Sequence, residues 1–435
     1  MSVLKQRIMD RSVTLGVIGL GYVGLPLAVE KAKAGFHVIG FDVQLQKVDL
    51  VNQGHNYIGD VVNADLEEVV KSGHLKATSD FASVASCDCV CIAVPTPLDA
   101  HQQPDISYVR ASAESILPYL HQDMLVVLES TTYPGTTQEL IKPILERSGL
   151  TCGLDFFLAF SPERVDPGNA LYKTKNTPKV VGGITPLCTD IAAALYEAVL
   201  EAPVHRVSSP AVAEMEKILE NTYRNVNIGL INELAILSDR MGINIWEVID
   251  AAKSKPYGFQ AFYPGPGPGG HCIPLDPYYL SWKAREFSFH TSMIESSMII
   301  NDRMPEYCAH RAMRALNERK KAMNGARVLV LGVAYKQDVD DCRESAALRV
   351  ITSLQALGAE VSFYDPHITA YEHAGQRHEG IPSLTAEALK SCDLVMITTC
   401  HTAVDYELVA RHASLILDTK NAMKHVKRRD NIRLL

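Results

Sequence analysis

The stretch Val13-Thr14-Leu15-Gly16-Val17-Ile18-Gly19-Leu20-Gly21-Tyr22-Val23-Gly24 decides how the first part of the chain folds. Val13 to Gly19 is apolar and leaves no room for a helix before the glycines begin, so it reads as a buried strand. Gly19, Gly21 and Gly24 form a G-x-G-x-x-G. Leu25 to Ala34 continues as a helix, with Pro26 tolerated in its first turn and Gly35 as its stop. His37 to Phe41 is a second apolar strand, and Asp42 closes it. Strand, glycines, helix, strand and carboxylate follow one another in the order a dinucleotide site requires. The glycines let a pyrophosphate rest on the free N–H groups of the helix N-terminus, where the dipole favours an anion. Asp42 falls where a carboxylate accepts the ribose hydroxyls and repels a 2′-phosphate, so NAD is expected over NADP.

Two further strands follow. Cys89 to Val94 ends in Pro95-Thr96-Pro97, and Leu125 to Leu128 ends in Glu129-Ser130-Thr131-Thr132. In a doubly wound sheet the ligand lies outside the carboxyl ends of the strands, so both hydroxyl-rich endings suit contacts to a dinucleotide; ordinary turn chemistry explains them equally well. Phe156 to Phe160 leads into Ser161-Pro162-Glu163-Arg164-Val165, a strand-to-loop step carrying a carboxylate and a guanidinium, for which a surface ion pair is the plain alternative. Ser209-Pro210 reads as an N-cap with Pro at the first helical position, opening a helix that runs to Met241, roughly 48 Å at the usual rise. Lys217, Asn221 and Arg224 share one face of it, and its two-sided apolar character suits a dimer core.

A second focus is Pro264-Gly265-Pro266-Gly267-Pro268-Gly269-Gly270-His271-Cys272-Ile273-Pro274-Leu275-Asp276-Pro277. Its Pro and Gly content predicts a rigid, irregular loop, with Gly269 and Gly270 letting the backbone approach something closely. A thiol on such a loop, with a carboxylate four residues on, is a candidate covalent catalyst; a packed, inert cysteine is the bland alternative.

From Ala326 onward the opening theme repeats. Arg327 to Leu331 is a strand ending at Gly332, a helix spans about Ser345 to Leu357, and a strand at Val361 to Tyr364 ends in Asp365. This part lacks the G-x-G-x-x-G and offers Gly332-Val333-Ala334-Tyr335-Lys336 instead, with Arg343 further on. A cationic mouth on the same architecture suggests a second nucleotide or a sugar phosphate. The expected domains are an NAD-binding Rossmann domain over residues 1–205, a helical domain with the catalytic loop over 206–315, and a Rossmann-like sugar-nucleotide domain over 316–435.

Composition narrows the function classes. A chain of 435 residues suits two or three domains, and 47% hydrophobic residues fill their cores. A net charge of −8 argues against general nucleic-acid binding. Ten cysteines without regular spacing or a Cys-x-x-Cys suit neither a disulfide framework nor a zinc site, so no metal and a reducing cytoplasm are expected. The nucleotide pattern begins by residue 16, leaving no expected signal peptide, and no apolar run is long enough to span a membrane.

With these pieces assembled, the chain resembles the UDP-glucose/GDP-mannose dehydrogenase family over essentially its whole length. The matching motifs are Gly-Leu-Gly-Tyr-Val-Gly-Leu-Pro-Leu-Ala (19–28), Glu-Ser-Thr (129–131), Ser-Pro-Glu-Arg-Val (161–165), Lys-Ile-Leu-Glu-Asn (217–221), Gly-Gly-His-Cys-Ile-Pro-Leu-Asp-Pro (269–277) and Arg-Glu-Ser (343–345). The resemblance implies an α/β fold of two doubly wound Rossmann-like domains joined by a long central helix and a helical dimerisation domain. It implies two successive NAD-dependent oxidations of a sugar-nucleotide C6 alcohol through a cysteine thioester, in a homodimer or higher homo-oligomer. Ser-Pro-Glu-Arg-Val, Lys255 to Phe259 and Phe262 to Gly267 look most like the N-acetylhexosamine branch, with UDP-N-acetylglucosamine as first substrate and UDP-N-acetylmannosamine as second. A second glutamate of the glucose branch is Pro167 here, and an arginine that relatives extend to a neighbouring subunit has no match near Tyr257.

Carried over by resemblance, Cys272 is the nucleophile, Lys217 stabilises the oxyanion, Asn221 and Asp276 position water, Glu163 is a base, and Thr131 lies between cofactor and substrate. The NAD set is Gly19, Gly21, Tyr22, Val23, Gly24, Asp42, Lys47, Thr96, Ser130, Thr131 and Arg343. The substrate set is Glu163, Arg164, Val165, Lys217, Asn221, Arg224, Tyr263, Gly267, Gly269, Tyr335, Lys336 and Lys420, the last standing where relatives often carry arginine. A non-catalytic sugar-nucleotide binder of this fold and a two-electron dehydrogenase of the hydroxyacid type are the competing classes; neither needs the thiol.

Overall fold

Eight strands build the sheet of the first unit: β1 (Thr14–Ile18), β2 (His37–Phe41), β3 (Leu75–Thr78), β4 (Cys89–Ile92), β5 (Leu125–Leu128), β6 (Phe157–Phe160), β7 (Lys179–Gly183) and β8 (Val204–Val207). Their order is β3-β2-β1-β4-β5-β6-β7-β8. Neighbours are parallel except β6 and β7. The structure is a computed structural model that describes every residue except Met1, Asp60, Pro167, Ala170, His271 and Ala374. The departure at Pro167 and the His271 of the glycine loop thus lie outside the described residues. The chain divides into two compact units, Met1–Glu220 with Tyr278–Phe289, and Asn221–Pro277 with His290–Leu435.

Register places the functional loops of the first unit. Ile18 pairs with Phe41 and with Ile92, Ile92 with Leu128, and Leu128 with Phe160. Gly19, Asp42, Ala93, Glu129 and Ser161 therefore emerge together at the carboxyl edge, where α/β sheets bind ligands. Alternate residues feed two cores. Cys89, Cys91, Leu125 and Val127 face one cluster, and Val90, Ile92, Val126 and Leu128 the other, as a sheet covered on both faces demands. The helix Gly24–Lys33 follows the glycines as expected, whereas the opening helix Val3–Met9, packed through Leu4 and Ile8, was not expected from the sequence.

In the second unit β9 (Arg327–Leu331), β10 (Glu360–Tyr364), a β11 (Ala370–His373) and β12 (Gln376–Glu379) hairpin, β13 (Leu394–Ile397), β14 (Ile416–Asp418) and β15 (Ile432–Leu434) complete the strands. The parallel sheet runs β10-β9-β13-β14-β15, the same reversal of order at β9 as at β1. The helix Pro210–Met241 has the expected bounds, and the Ser209 hydroxyl accepts the Val212 N–H at 3.4 Å. Its interior Gly229 does not break it: a Cβ there would lie 2.8 Å from Ser297 Cβ, so the glycine admits a second long helix, Ser292–Glu318, to close range.

One expectation is corrected. The irregular loop ends before Cys272, which opens the helix Cys272–Ala284. Pro274 is harmless in the first turn, where N–H groups have no partner in the helix. Pro277 cannot donate to the carbonyl four residues back, Ile273, and the Asn225 side-chain amide donates to that oxygen instead, at 3.0 Å.

Candidate active site

The first unit holds the dinucleotide loop. A Cβ on Gly24 would stand 1.7 Å from the Gly19 carbonyl oxygen, so turn and helix close only around glycine. A Cβ on Gly21 would meet nothing within 4 Å, which leaves the loop open on the side where a pyrophosphate would lie. Asp42 is buried and accepts the Leu20 N–H on Oδ2 and the Gln44 N–H on Oδ1, each at 2.9 Å, with Lys47 Nζ 3.8 Å from Oδ2. Each of its oxygens keeps a second lone pair, so the residues present fit NAD. Tyr57, which sequence reasoning missed, donates its hydroxyl to the Leu20 carbonyl at 2.6 Å, and burial, then Asp42, pushes that phenol up. Ser130 donates to the Val94 carbonyl at 2.7 Å, and the buried Tyr279 donates to that of Thr96 at 2.7 Å, so two loops of the expected NAD set are tied down. Thr131 is half-buried, Tyr22 is exposed at 43%, and Val23 is the residue from which the helix begins.

Glu163 and Lys217 meet in the same unit. The Lys217 ammonium donates to the backbone carbonyl of Glu163 at 2.6 Å. The Glu163 carboxylate accepts the Arg164 and Val165 N–H groups on Oε1, both at 2.8 Å, and Lys179 Nζ on Oε2 at 3.1 Å. Glu163 and Arg164 therefore do not pair with each other through their side chains. Arg164 turns to the long helix, onto Glu220 and Glu216, the latter at 3.4 Å, and donates to the Pro178 carbonyl at 2.9 Å. Glu220 is the main cause of its raised pKa.

The second unit holds the thiol. Cys272 is exposed at the first residue of its helix, where the dipole favours a thiolate. Asp276 is one turn further and buried, and the buried Asn221 donates to its Oδ2 at 2.5 Å. A relay of buried amides runs from the glycine loop to the helix that Cys272 opens: Asn232 Oδ1 accepts the Gly265 N–H at 3.0 Å and Asn232 Nδ2 donates to Asn301 at 2.9 Å. Asn301 in turn donates to the Asn225 carbonyl at 3.1 Å, and Asn225 reaches Ile273. No periodicity distinguishes these asparagines in the sequence, since each lies in an ordinary helix.

What Gly269 and Gly270 approach is Tyr335: a Cβ on either would lie 2.9 Å from that side chain. Lys420 lies against the same loop, its ammonium 2.6 Å from where a Gly265 Cβ would stand, and burial holds its pKa below the ordinary lysine value. Gly267 has φ +112°, Tyr263 stacks on Trp246 at 6.1 Å, Lys336 is half-buried, and Arg224 is exposed. Arg343, expected in the NAD set, lies in this second unit and forks onto Asp341 at 2.7 and 2.9 Å.

Asp365 occupies the place at the end of β10 that Asp42 holds at the end of β2. Its two oxygens accept the N–H groups of Val333, Ala334, His367 and Ile368 at 2.8 to 3.2 Å. The buried His401 completes the shell: its Nδ1 accepts the Asp338 N–H at 3.0 Å, so its Nε2 carries the proton and donates to Asp365 at 3.0 Å. Asp338, His367 and His401 stand close enough to hold a cation, yet both ring nitrogens of His401 are already engaged.

Residues 13–200 match the NAD-binding domain of the UDP-glucose/GDP-mannose dehydrogenase family, 211–303 its central domain and 329–425 its UDP-binding domain. The chain belongs to the UDP-glucose/GDP-mannose dehydrogenase family. It is an NAD-dependent oxidoreductase with two Rossmann-like sheets and a long central helix. It is 36% identical over 393 residues to the UDP-N-acetyl-D-glucosamine 6-dehydrogenase of Pseudomonas aeruginosa, covering 90% of this chain and 91% of that one. It is 36% identical to the NDP-N-acetyl-D-galactosaminuronic acid dehydrogenase of Ralstonia nicotianae, covering 90% and 93%. The solved UDP-D-ManNAc dehydrogenase of Pyrococcus horikoshii superposes with a TM-score of 0.88 at 32% identity, covering 97% of this chain and 98% of that one. Among the described residues no helix is long and apolar enough to cross a membrane.

Proposed function

We propose that this protein oxidises the C6 alcohol of UDP-N-acetylglucosamine to the uronate in two NAD-dependent steps, in the cytoplasm, for surface-polysaccharide sugars. The observation that carries the reading is the Asn221–Asp276 contact, one helical turn beyond an exposed thiol that opens a helix. NAD, held by the Gly19–Gly24 loop and Asp42, supplies the acceptor for one hydride in each oxidation. Cys272 adds as thiolate to the C6 aldehyde left by the first oxidation, giving a thiohemiacetal; loss of its C6 hydride and hydroxyl proton leaves a thioester. Water, held by Asn221 and Asp276, breaks the C–S bond, releasing the carboxylate and restoring the thiolate. Lys217 stabilises the oxyanions, and Glu163 takes protons at the alcohol and water stages. Arg164, Val165, Arg224, Gly269, Tyr335, Lys336 and Lys420 contact the sugar nucleotide in this reading, with Lys420 on the diphosphate.

UDP-N-acetylmannosamine is the second reading, favoured by the 0.88 TM-score to the Pyrococcus horikoshii structure. The reading keeps the three-part organisation 1–205, 206–315 and 316–435, and a homodimer. Val212, Met215, Leu219, Leu230, Leu234 and Leu237 form an exposed apolar ridge along the long helix, between 38% and 59% accessible, which supports burial against a second copy. A panel of UDP-sugars read by NADH formation tests the substrate: the N-acetylglucosamine sugar should turn over fastest, with two NADH per sugar. Faster oxidation of UDP-glucose, or one NADH per sugar, overturns the reading.

A further inference from the structure

Behind Glu163 lies a buried row of charges in the first unit. Lys179, on β7, is 5% exposed and its ammonium bridges two carboxylates: Glu163 Oε2 at 3.1 Å and Glu129 Oε2 at 2.9 Å. Glu129 is 1% exposed, accepts the Tyr196 hydroxyl on Oε1 at 2.6 Å, and lies 3.6 Å from the ammonium of Lys31. Lys31 is fully buried and donates to Cys91 Sγ at 2.7 Å. Burial pushes the Cys91 thiol up to about 11, against the pull of Lys31, so that group is neutral. Burial alone would raise Glu129 as well; Lys179 first, then Lys31 and the Tyr196 hydroxyl, hold it below the ordinary carboxylate value. The row is therefore two cations and two anions, alternating and balanced, as burial demands.

The row ends at a functional residue. Glu163 offers its carboxylate to Lys179 and its backbone carbonyl to Lys217, so one residue links the buried cation to the ammonium proposed to face the oxyanion. The remaining charges around it are Arg164, whose N–H it accepts, and Glu216 and Glu220, which hold the Arg164 guanidinium. Lys179 is thus the cation that holds the Glu163 side chain itself.

We propose that Lys179 is a positioning residue: anchored by Glu129, it holds the Glu163 carboxylate in place, and through Glu163 sets the position of the Lys217 ammonium. The inference rests on the role given to Glu163 above. Without the Lys179 charge, Glu129 and Glu163 face each other across a low-dielectric gap, and one of them takes up a proton.

Three variants test this in the full-length enzyme with UDP-N-acetylglucosamine and NAD. Lys179→Met should lower kcat about tenfold to a hundredfold, the usual consequence of misplacing a reacting group, with KM for both substrates nearly unchanged. The acid limb of its kcat–pH profile should move to higher pH. Lys179→Arg should restore the wild-type profile. Lys179→Met can fold poorly because it leaves a net buried charge; the pair Glu129→Gln with Lys179→Met restores balance and should recover stability, with a smaller displacement of the profile because only the Lys179 attraction is then lost. Lys179→Met combined with Glu163→Gln should be no slower than Glu163→Gln alone. An unmoved profile in both Lys179→Met backgrounds, or losses that multiply with those of Glu163→Gln, overturns the inference. A wild-type enzyme that leaves every N-acetylhexosamine sugar untouched overturns the functional reading instead.

Discussion

Asn221 Nδ2 and Asp276 Oδ2 are 2.5 Å apart, both residues are buried, and Asp276 stands four residues beyond Cys272. The contact fixes which way the carboxylate faces. Asn221→Asp places a second carboxyl against it, and like charges at that range force one to keep a proton. Hydrolysis should then slow while acylation persists. Intact-mass measurement should find a covalent sugar-nucleotide adduct in the variant under turnover; an unmodified protein with normal steady-state rate refutes the assignment.

Cys272→Ser keeps the helix opening and the glycine loop, so binding of NAD and UDP-sugar should stay within a few-fold of wild type. Turnover should fall by several orders of magnitude, as for other covalent nucleophiles. Stopped-flow NADH traces decide it, since near-normal steady turnover removes the thioester route.

Asn225 replaces the hydrogen bond that Pro277 cannot make and belongs to the amide relay from Gly265. Asn225→Leu strands the Ile273 carbonyl, while the Ser297 hydroxyl keeps its bond to the Ile294 carbonyl at 2.8 Å. A loss of roughly 1–3 kcal/mol is expected from one unpaired buried carbonyl. Urea unfolding measures it, and Asn225→Asp should lose at least as much, because a buried carboxylate has no N–H for the Ile273 carbonyl.

Lys420 has its pKa depressed by burial. An anionic ligand restores the charged form, so affinity is full below the depressed value and declines as pH rises through it, a decline that starts below the ordinary lysine pKa of about 10.4. Titration calorimetry with UDP from pH 7 to 10 should show the fall, and Lys420→Arg should flatten it. A flat wild-type profile counts against a diphosphate contact.

Glu216 is pushed up to about 7, by burial first and then by Glu220. An unfolded glutamate titrates near ~4.3, so between there and about 7 the native state holds the extra proton and stability falls as pH rises. Glu216→Gln removes that penalty. After allowance for solvent screening, a gain of about 1 kcal/mol is expected at pH 8 and little at pH 5. Denaturant melts at the two pH values read the difference.

Much of the architecture was legible because its signals are local. Glycine spacing, apolar runs and a proline after a serine located β1, β2, β9 and the long helix within a residue or so. The helix at Cys272 was not legible, because proline composition argued against it and its repair comes from Asn225, 48 positions before the Ile273 carbonyl it satisfies and brought there by tertiary packing alone. Lys31 and Lys179 were invisible for a related reason. A lysine in a helix, like Lys31, or at the start of a strand, like Lys179, reads as solvated, and only the sheet order that brings Glu129 between them explains two buried ammonium groups.

The sealed carboxylate of Asp365 sets the second sheet apart from the first. Asp42 keeps lone pairs for a visiting ribose, whereas Asp365 is saturated by four backbone N–H groups and a histidine. With no G-x-G-x-x-G and no open carboxylate, the second sheet offers an adenine dinucleotide neither the pyrophosphate seat nor the ribose contact of the first. Two sheets of one architecture thus differ in the chemistry they present at the same strand end.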